Sequence, residues 1–184
     1  MEDFAEALRS AQRGDEAAFT RIFRAMQPVV VRYLTVLGGG ANADDLAAET
    51  WVAALRTFAD FRGDESAMRG WLVTIARARW VDAVRASARR SEQVTAEVPD
   101  ARAPEDVAGV VEARDGTRAA LALIASLPPD QAEVVTLRVV AQLDVDEVAT
   151  MLGKTPNHVR VLSHRGLRRL AAVMRETPTT MEQS

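Results

Sequence analysis

The segment 91–116 limits what this chain can fold into more than any other. It holds Pro99, Pro104, Gly109 and Gly116, seven acidic side chains against two arginines, and little hydrophobic periodicity. A stretch of that kind buries too little apolar surface to fold alone and reads as a flexible acidic linker. It separates two runs of helical periodicity, so the 184 residues divide into two small domains, 1–90 and 117–176, with a frayed tail at 177–184. That division agrees with a norm of roughly 100–200 residues per domain. Only 5% of residues are aromatic, alanine and arginine are abundant, and Lys154 is the sole lysine. This mixture favours helix over strand, and the expected fold class is all-α.

In the first part, Phe4, Leu8 and Ala11 mark a short amphipathic helix that ends near Gly14. Phe19, Ile22, Phe23, Met26, Val30, Tyr33, Leu34 and Leu37 keep helical spacing through Pro28, which predicts one kinked helix or two abutting ones. Gly38, Gly39 and Gly40 stop it. Asn42 is the expected N-cap of a third helix running to about Phe58, and residues 62–66 read as a loop. A fourth helix carries Met68, Leu72, Ile75 and Ala76 and continues to Arg89 and Arg90.

The strongest local signal is in the second part. Asp144 and Glu147 have capping-box spacing, Val148, Ala149 and Leu152 form an apolar stripe, and Gly153 permits a tight turn. Thr155 and Pro156 then supply an N-cap and a first-turn proline. This is a helix-turn-helix pattern. Val159 is expected to pack back on the first helix, leaving Asn157, His158, Arg160, Val161, Arg165 and Arg168 on a free face suited to the DNA major groove.

Net charge is −3, yet it is unevenly spread. Residues 62–90 carry seven basic and three acidic side chains, and 154–175 carry six basic ones and no acid. Within the first basic block, Trp71 and Trp80 lie among Arg69, Arg77, Arg79, Arg85 and Arg89. Aromatics among cations suit unpaired bases, because stacking contributes ~1–3 kcal/mol per base while arginines hold the backbone. A core role for Trp71 and Leu72, and a core or helix-contact role for Trp80, is the competing reading. Asp45 and Glu49 stand one helical turn apart, where acids in a first turn ordinarily offset the helix dipole.

Other chemistries fail on residue type. With no cysteine there is no disulfide framework, zinc knuckle or thiol nucleophile. Gly153, Lys154 and Thr155 look like the end of a phosphate-binding loop, but Val148 stands where its first glycine belongs. His158 and His164 lie on different helical faces without carboxylate company, so no metal is expected. No cofactor, small-molecule substrate or enzymatic activity is expected either. The N-terminal MEDFAEALRS lacks the pattern of a signal peptide, and no apolar run is long enough to span a membrane, so a cytoplasmic protein without membrane insertion is expected.

Two runs carry a family resemblance. DDLAAETWVAALRTFADFRGDESAMRGWLVTIARARWVDAVRASARR (44–90) and LPPDQAEVVTLRVVAQLDVDEVATMLGKTPNHVRVLSHRGLRRL (127–170) resemble the second and fourth conserved regions of bacterial sigma factors of the extracytoplasmic-function group. The likeness covers about residues 3–174. It implies that Asp44, Asp45, Leu46 and Glu49 dock on core RNA polymerase. It implies that Phe61, Arg62, Arg69, Trp71, Arg77, Arg79, Trp80 and Arg85 hold the melted minus-ten strand of promoter DNA. Thr155, Asn157, His158, Arg160, Val161, Arg165 and Arg168 would then read the minus-thirty-five duplex, and the linker would thread toward the RNA exit path. An anti-sigma factor is a further implied partner. The chain departs from the pattern at Ala48, Ala78, Trp80, Leu162 and Ser163, so polar contacts and promoter preference do not transfer there. A stand-alone helix-turn-helix regulator is the alternative, which leaves 44–90 unexplained; a helical adaptor with merely solvated arginines is a third.

Overall fold

The structure is a computed structural model that describes residues 3–38, 42–93 and 112–176. Gly39 and Gly40, most of the expected linker and the tail from 177 lie outside the described residues. Among the described residues all regular structure is helical: α1 (Phe4–Gln12), α2 (Glu16–Gly38), α3 (Ala43–Leu55), α4 (Glu65–Gln93), α5 (Glu112–Ala125), α6 (Pro129–Val135), α7 (Val145–Leu152) and α8 (Pro156–Glu176). Helix α4 runs on to Gln93 and α5 begins at Glu112, so both enter the span read as linker.

Helix α2 is a single element with Pro28 inside it. Proline removes one backbone donor and crowds the preceding turn, but Ile22, Met26, Val30, Tyr33 and Leu34 are all buried on one side and hold both halves of the helix on the core. Around it lie α1, α3 and α4. Helix α3 ends at Leu55, earlier than the apolar spacing predicts, and a 3-10 turn at Phe58–Asp60 places Phe58 in the core. Asn42 makes no side-chain cap bond. Its backbone is left-handed at φ 62, unlike the extended backbone usual at an N-cap, although Asp3, left-handed at φ 58, does cap α1 by accepting from the Glu6 amide at 3.0 Å.

Helices α6, α7 and α8 form the C-terminal half, with α5 leading into it. Between α6 and α7 the chain makes a π-helical turn at Thr136–Val140, closed by the Ala141 amide donating to the Thr136 carbonyl over 3.0 Å. Thr136 and Leu137 are its buried residues, and the turn packs on α2. The two halves therefore share one core: Val134, Leu137, Leu143 and Val148 belong to the same buried cluster as Ile22, Tyr33, Met68 and Leu72. A smaller cluster joins Val36 of α2 to Leu121, Ile124, Leu127 and Val135.

The capping box of α7 forms as expected. The Asp144 carboxylate accepts from the amides of Asp146 and Glu147 at 2.8 and 2.7 Å, and Glu147 accepts from the Asp144 amide at 2.7 Å. Removing it with Asp144→Ala is expected to lower stability by about 1 kcal/mol, read as a shift in the urea midpoint with unchanged slope.

Candidate nucleic-acid interface

The helix-turn-helix is built by short-range chemistry. After α7, Gly153 takes φ 62, a left-handed conformation that glycine adopts without penalty, and turns the chain toward α8. The Thr155 hydroxyl accepts from the His158 amide at 3.2 Å and caps α8, so this side chain has a structural role at the edge of the expected DNA face. Val159 is fully buried and Leu162 nearly so, which seats α8 against the rest of the domain. Asn157, His158, Arg160, Val161, Arg165 and Arg168 are all exposed together, as the spacing predicts. Lys154 lies apart from this set and pairs with Asp130 at 3.5 Å.

The N-terminal basic block is more divided. Phe61 and Trp71 are half-buried and their rings meet at 4.9 Å with an interplanar angle of 33°. Gln12 fixes the turn below them, its side-chain amide donating to the carbonyls of Phe58 and Phe61 at 3.0 and 2.9 Å. Gly63 has φ 152, and a Cβ there would come within 2.7 Å of the Ala67 side chain, so the turn needs glycine. Arg62 is exposed and donates to the carbonyls of Ala59 and Phe61. Asp64 begins α4 by accepting from the Ala67 amide at 2.8 Å.

Along α4 the expected strand-holding arginines have different fates. Arg69 pairs with Glu65 at 3.0 Å, one turn back on the same helix. Arg77 pairs with Glu133 of α6 at 2.8 Å, across the junction of the two halves. The Nε of Arg79 is buried without a hydrogen-bond partner. Trp80 is half-buried with its ring 3.9 Å from where a Cβ on Gly38 would stand, in keeping with a helix-contact role, and Arg85 is exposed. Phe61, Arg62 and Trp71 thus form the coherent surface, while Arg77 is engaged elsewhere.

On α3, Asp44, Asp45 and Glu49 are exposed, but Leu46 is only 7% exposed. Leu46, expected among the docking residues, lies a turn before Thr50 on the inward stripe, and its side chain packs in the core. Sequence reading missed Val52 and Leu55, which are 59% and 53% exposed. Asp45, Glu49 and Val52 are spaced i, i+4, i+7, the signal that continues this face. It also missed Tyr33 and Glu133. The Tyr33 hydroxyl donates to the Glu133 carboxylate at 3.0 Å, the same oxygen that takes Arg77. Burial, and next the Glu133 charge, push the Tyr33 phenol well above its ordinary pKa. Burial, the largest single influence, would weaken the Arg77 charge, but the hydrogen bond to Glu133 together with the charges of Glu133 and Tyr33 outweighs it and raises the Arg77 pKa.

Residues 22–90 match the family described as Sigma-70 region 2, and residues 117–170 match Sigma-70, region 4. The ECF RNA polymerase sigma factor SigD of Mycobacterium tuberculosis is 34% identical over 169 residues, covering 87% of this chain and 78% of SigD. The chain belongs to the ECF sigma factors. BldN of Streptomyces coelicolor, another ECF RNA polymerase sigma factor, is 37% identical over 174 residues; that match takes in 92% of this chain but 65% of BldN's length. In fold, this sigma factor is similar to RpoE of Bartonella quintana, solved in complex with the anti-sigma factor NepR. The TM-score is 0.63 at 18% identity, over 85% of this chain and 96% of that one. It is similar also to CnrH, solved with the cytosolic domain of CnrY, at a TM-score of 0.60 and 20% identity over 93% and 96% of the two chains. Among the described residues, no helix is long and apolar enough to cross a membrane.

Proposed function

We propose that this sigma factor acts in the cytoplasm, where it binds core RNA polymerase and directs it to a restricted promoter set through two separate DNA contacts. The observation that carries this reading is the pairing, in one chain, of a basic helix whose outer face is exposed with a tilted Phe61–Trp71 ring pair at the head of a second basic helix. Asn157, His158, Arg160, Val161, Arg165 and Arg168 read the minus-thirty-five duplex in its major groove, with Thr155 holding the helix start. Phe61 and Trp71 present aromatic faces to unpaired minus-ten bases, and Arg62, Arg69, Arg77, Arg79, Trp80 and Arg85 line the path of that strand. Unpairing costs a few kcal/mol, and capture of the opened strand offsets it.

The exposed face of Asp44, Asp45 and Glu49 docks on the polymerase, with Val52 and Leu55 adding apolar contact. Residues 1–90 and 117–176 are the two working domains. The bond-forming chemistry belongs to the polymerase, and no residue of this chain is assigned a catalytic role. An anti-sigma factor is the expected protein inhibitor, in keeping with the complex with the anti-sigma factor NepR in which the structurally similar RpoE was solved.

Run-off transcription with bacterial core polymerase on genomic promoter fragments tests this. Defined transcripts that require the protein are expected. Absence of transcripts, together with duplex binding to a palindromic site by the protein alone, would replace the reading with a stand-alone regulator.

A further inference from the structure

We propose that Glu133 is an intramolecular latch that closes the two halves on each other and withholds Arg77 from DNA. The inference rests on the assignment of Arg77 to the minus-ten strand, made above. One Glu133 oxygen accepts from the Arg77 Nε at 2.8 Å and from the Tyr33 hydroxyl at 3.0 Å. The three residues come from α6, α4 and α2, so this single carboxylate ties the helix-turn-helix half to both helices of the N-terminal half that face it. Tyr33 is fully buried and the Glu133 side chain is only 12% exposed, so the bond between them is shielded from water, whereas the Arg77 side chain is 35% exposed and water reaches its bond from one side. Apolar contacts flank the latch. Leu143 is fully buried and its Cδ2 lies 3.4 Å from where a Cβ on Gly70 would stand, and Val36 packs with Leu121, Ile124, Leu127 and Val135.

The chemistry is that of a decoy. A guanidinium binds a carboxylate and a phosphate by the same charge-assisted hydrogen bonds. Glu133 therefore occupies on Arg77 the position that a backbone phosphate of an unpaired strand would take. Separating the halves frees Arg77 but strands Glu133 and Tyr33 without their partners, and a phosphate on Arg77 competes directly with closure. Strand affinity is consequently reduced by the fraction of molecules that stay closed. The structure thus assigns a resting state to the chain itself, before any inhibitor binds.

The chain has no cysteine, so Arg24→Cys and Ala172→Cys place two spin labels on exposed positions of α2 and α8 without background. Pulsed dipolar spectroscopy of the full chain should give one distance population. Glu133→Arg, which sets like charges together at the junction, should lengthen and broaden it, and the exchanged pair Arg77→Glu with Glu133→Arg should restore it. Circular dichroism reports whether Glu133→Arg folds; should it not, the near-isosteric Glu133→Gln carries the same readout. Glu133→Gln should also tighten binding of a labelled single-stranded oligonucleotide by about tenfold, the scale expected when one charged hydrogen bond no longer opposes opening. Folded Glu133 variants that keep the original distance overturn the latch. Opening without tighter strand binding overturns the withholding of Arg77. Failure of the wild-type protein to support transcription bears on the initiation reading alone, because the label distance judges closure without DNA or polymerase.

Discussion

Gly166→Val is expected to destabilise the C-terminal half by about 3 kcal/mol, toward the upper end of what overpacking a core costs. Gly166 lies where α8 crosses α6. A Cβ at this position would stand 2.7 Å from Cγ2 of Val135, 3.4 Å from Cδ1 of Leu127 and 3.5 Å from Cβ of Gln131. Those three neighbours are all buried, and the nearest, Cγ2 of Val135, is a methyl on a stiff β-branched side chain that can give way only by changing rotamer inside the core. Valine adds two further carbons to a contact already too close. Gly166→Ala makes the same first contact but recovers about 1 kcal/mol of helix propensity, so its net effect should be much smaller. Urea denaturation followed by circular dichroism distinguishes the two. Because the α6–α8 crossing aims the recognition helix, Gly166→Val should also weaken duplex binding, while Phe61 and Trp71 keep their ring contact. A Gly166→Val protein as stable as wild type would show that α8 can shift along α6 at little cost.

Arg160→Ala and Arg168→Ala should both weaken binding to promoter duplex, in different ways. Arg160 lies in the second turn of α8, the part of a recognition helix that reaches base edges, whereas Arg168 lies two turns beyond it. Loss of a bidentate arginine–guanine contact costs ~1–3 kcal/mol and relaxes discrimination at one base pair. Loss of a phosphate contact instead lowers affinity for all sequences and reduces the salt-dependence slope by about 1. Fluorescence anisotropy against the promoter duplex, single-base variants and a salt series separates these outcomes. The assignment is overturned if Arg160→Ala binds every duplex as tightly as wild type.

The legibility of the fold followed the range of each interaction. The α7 capping box was readable because Asp144 and Glu147 sit three residues apart and any helix starting there brings them together. The free face of α8 was readable for the same reason, since burial of Val159 and Leu162 leaves their opposite side in water. Val52 and Leu55 went unread because apolar side chains on a helix are assigned to the core by default, and only packing shows which ones find no neighbour. The expected Asn42 cap does not form although residue type favours one, and the left-handed backbone is not by itself the reason, since Asp3 caps α1 from the same region.

By itself, the sequence determined the all-helical class, the helix-turn-helix, the two basic blocks and the family, because each depends on composition or on residues within a turn or two of one another. Tertiary structure alone decided how those pieces share a core and which charges meet. Arg77 and Glu133 are 56 residues apart, Tyr33 and Glu133 are 100 apart, and Gln12 reaches carbonyls 46 and 49 residues away. Contacts at such separations leave no periodicity or local motif in the chain. They exist because burial brings the halves together and an enclosed carboxylate must find donors, and that requirement places Glu133 against an arginine which the sequence marks only as a cation for DNA.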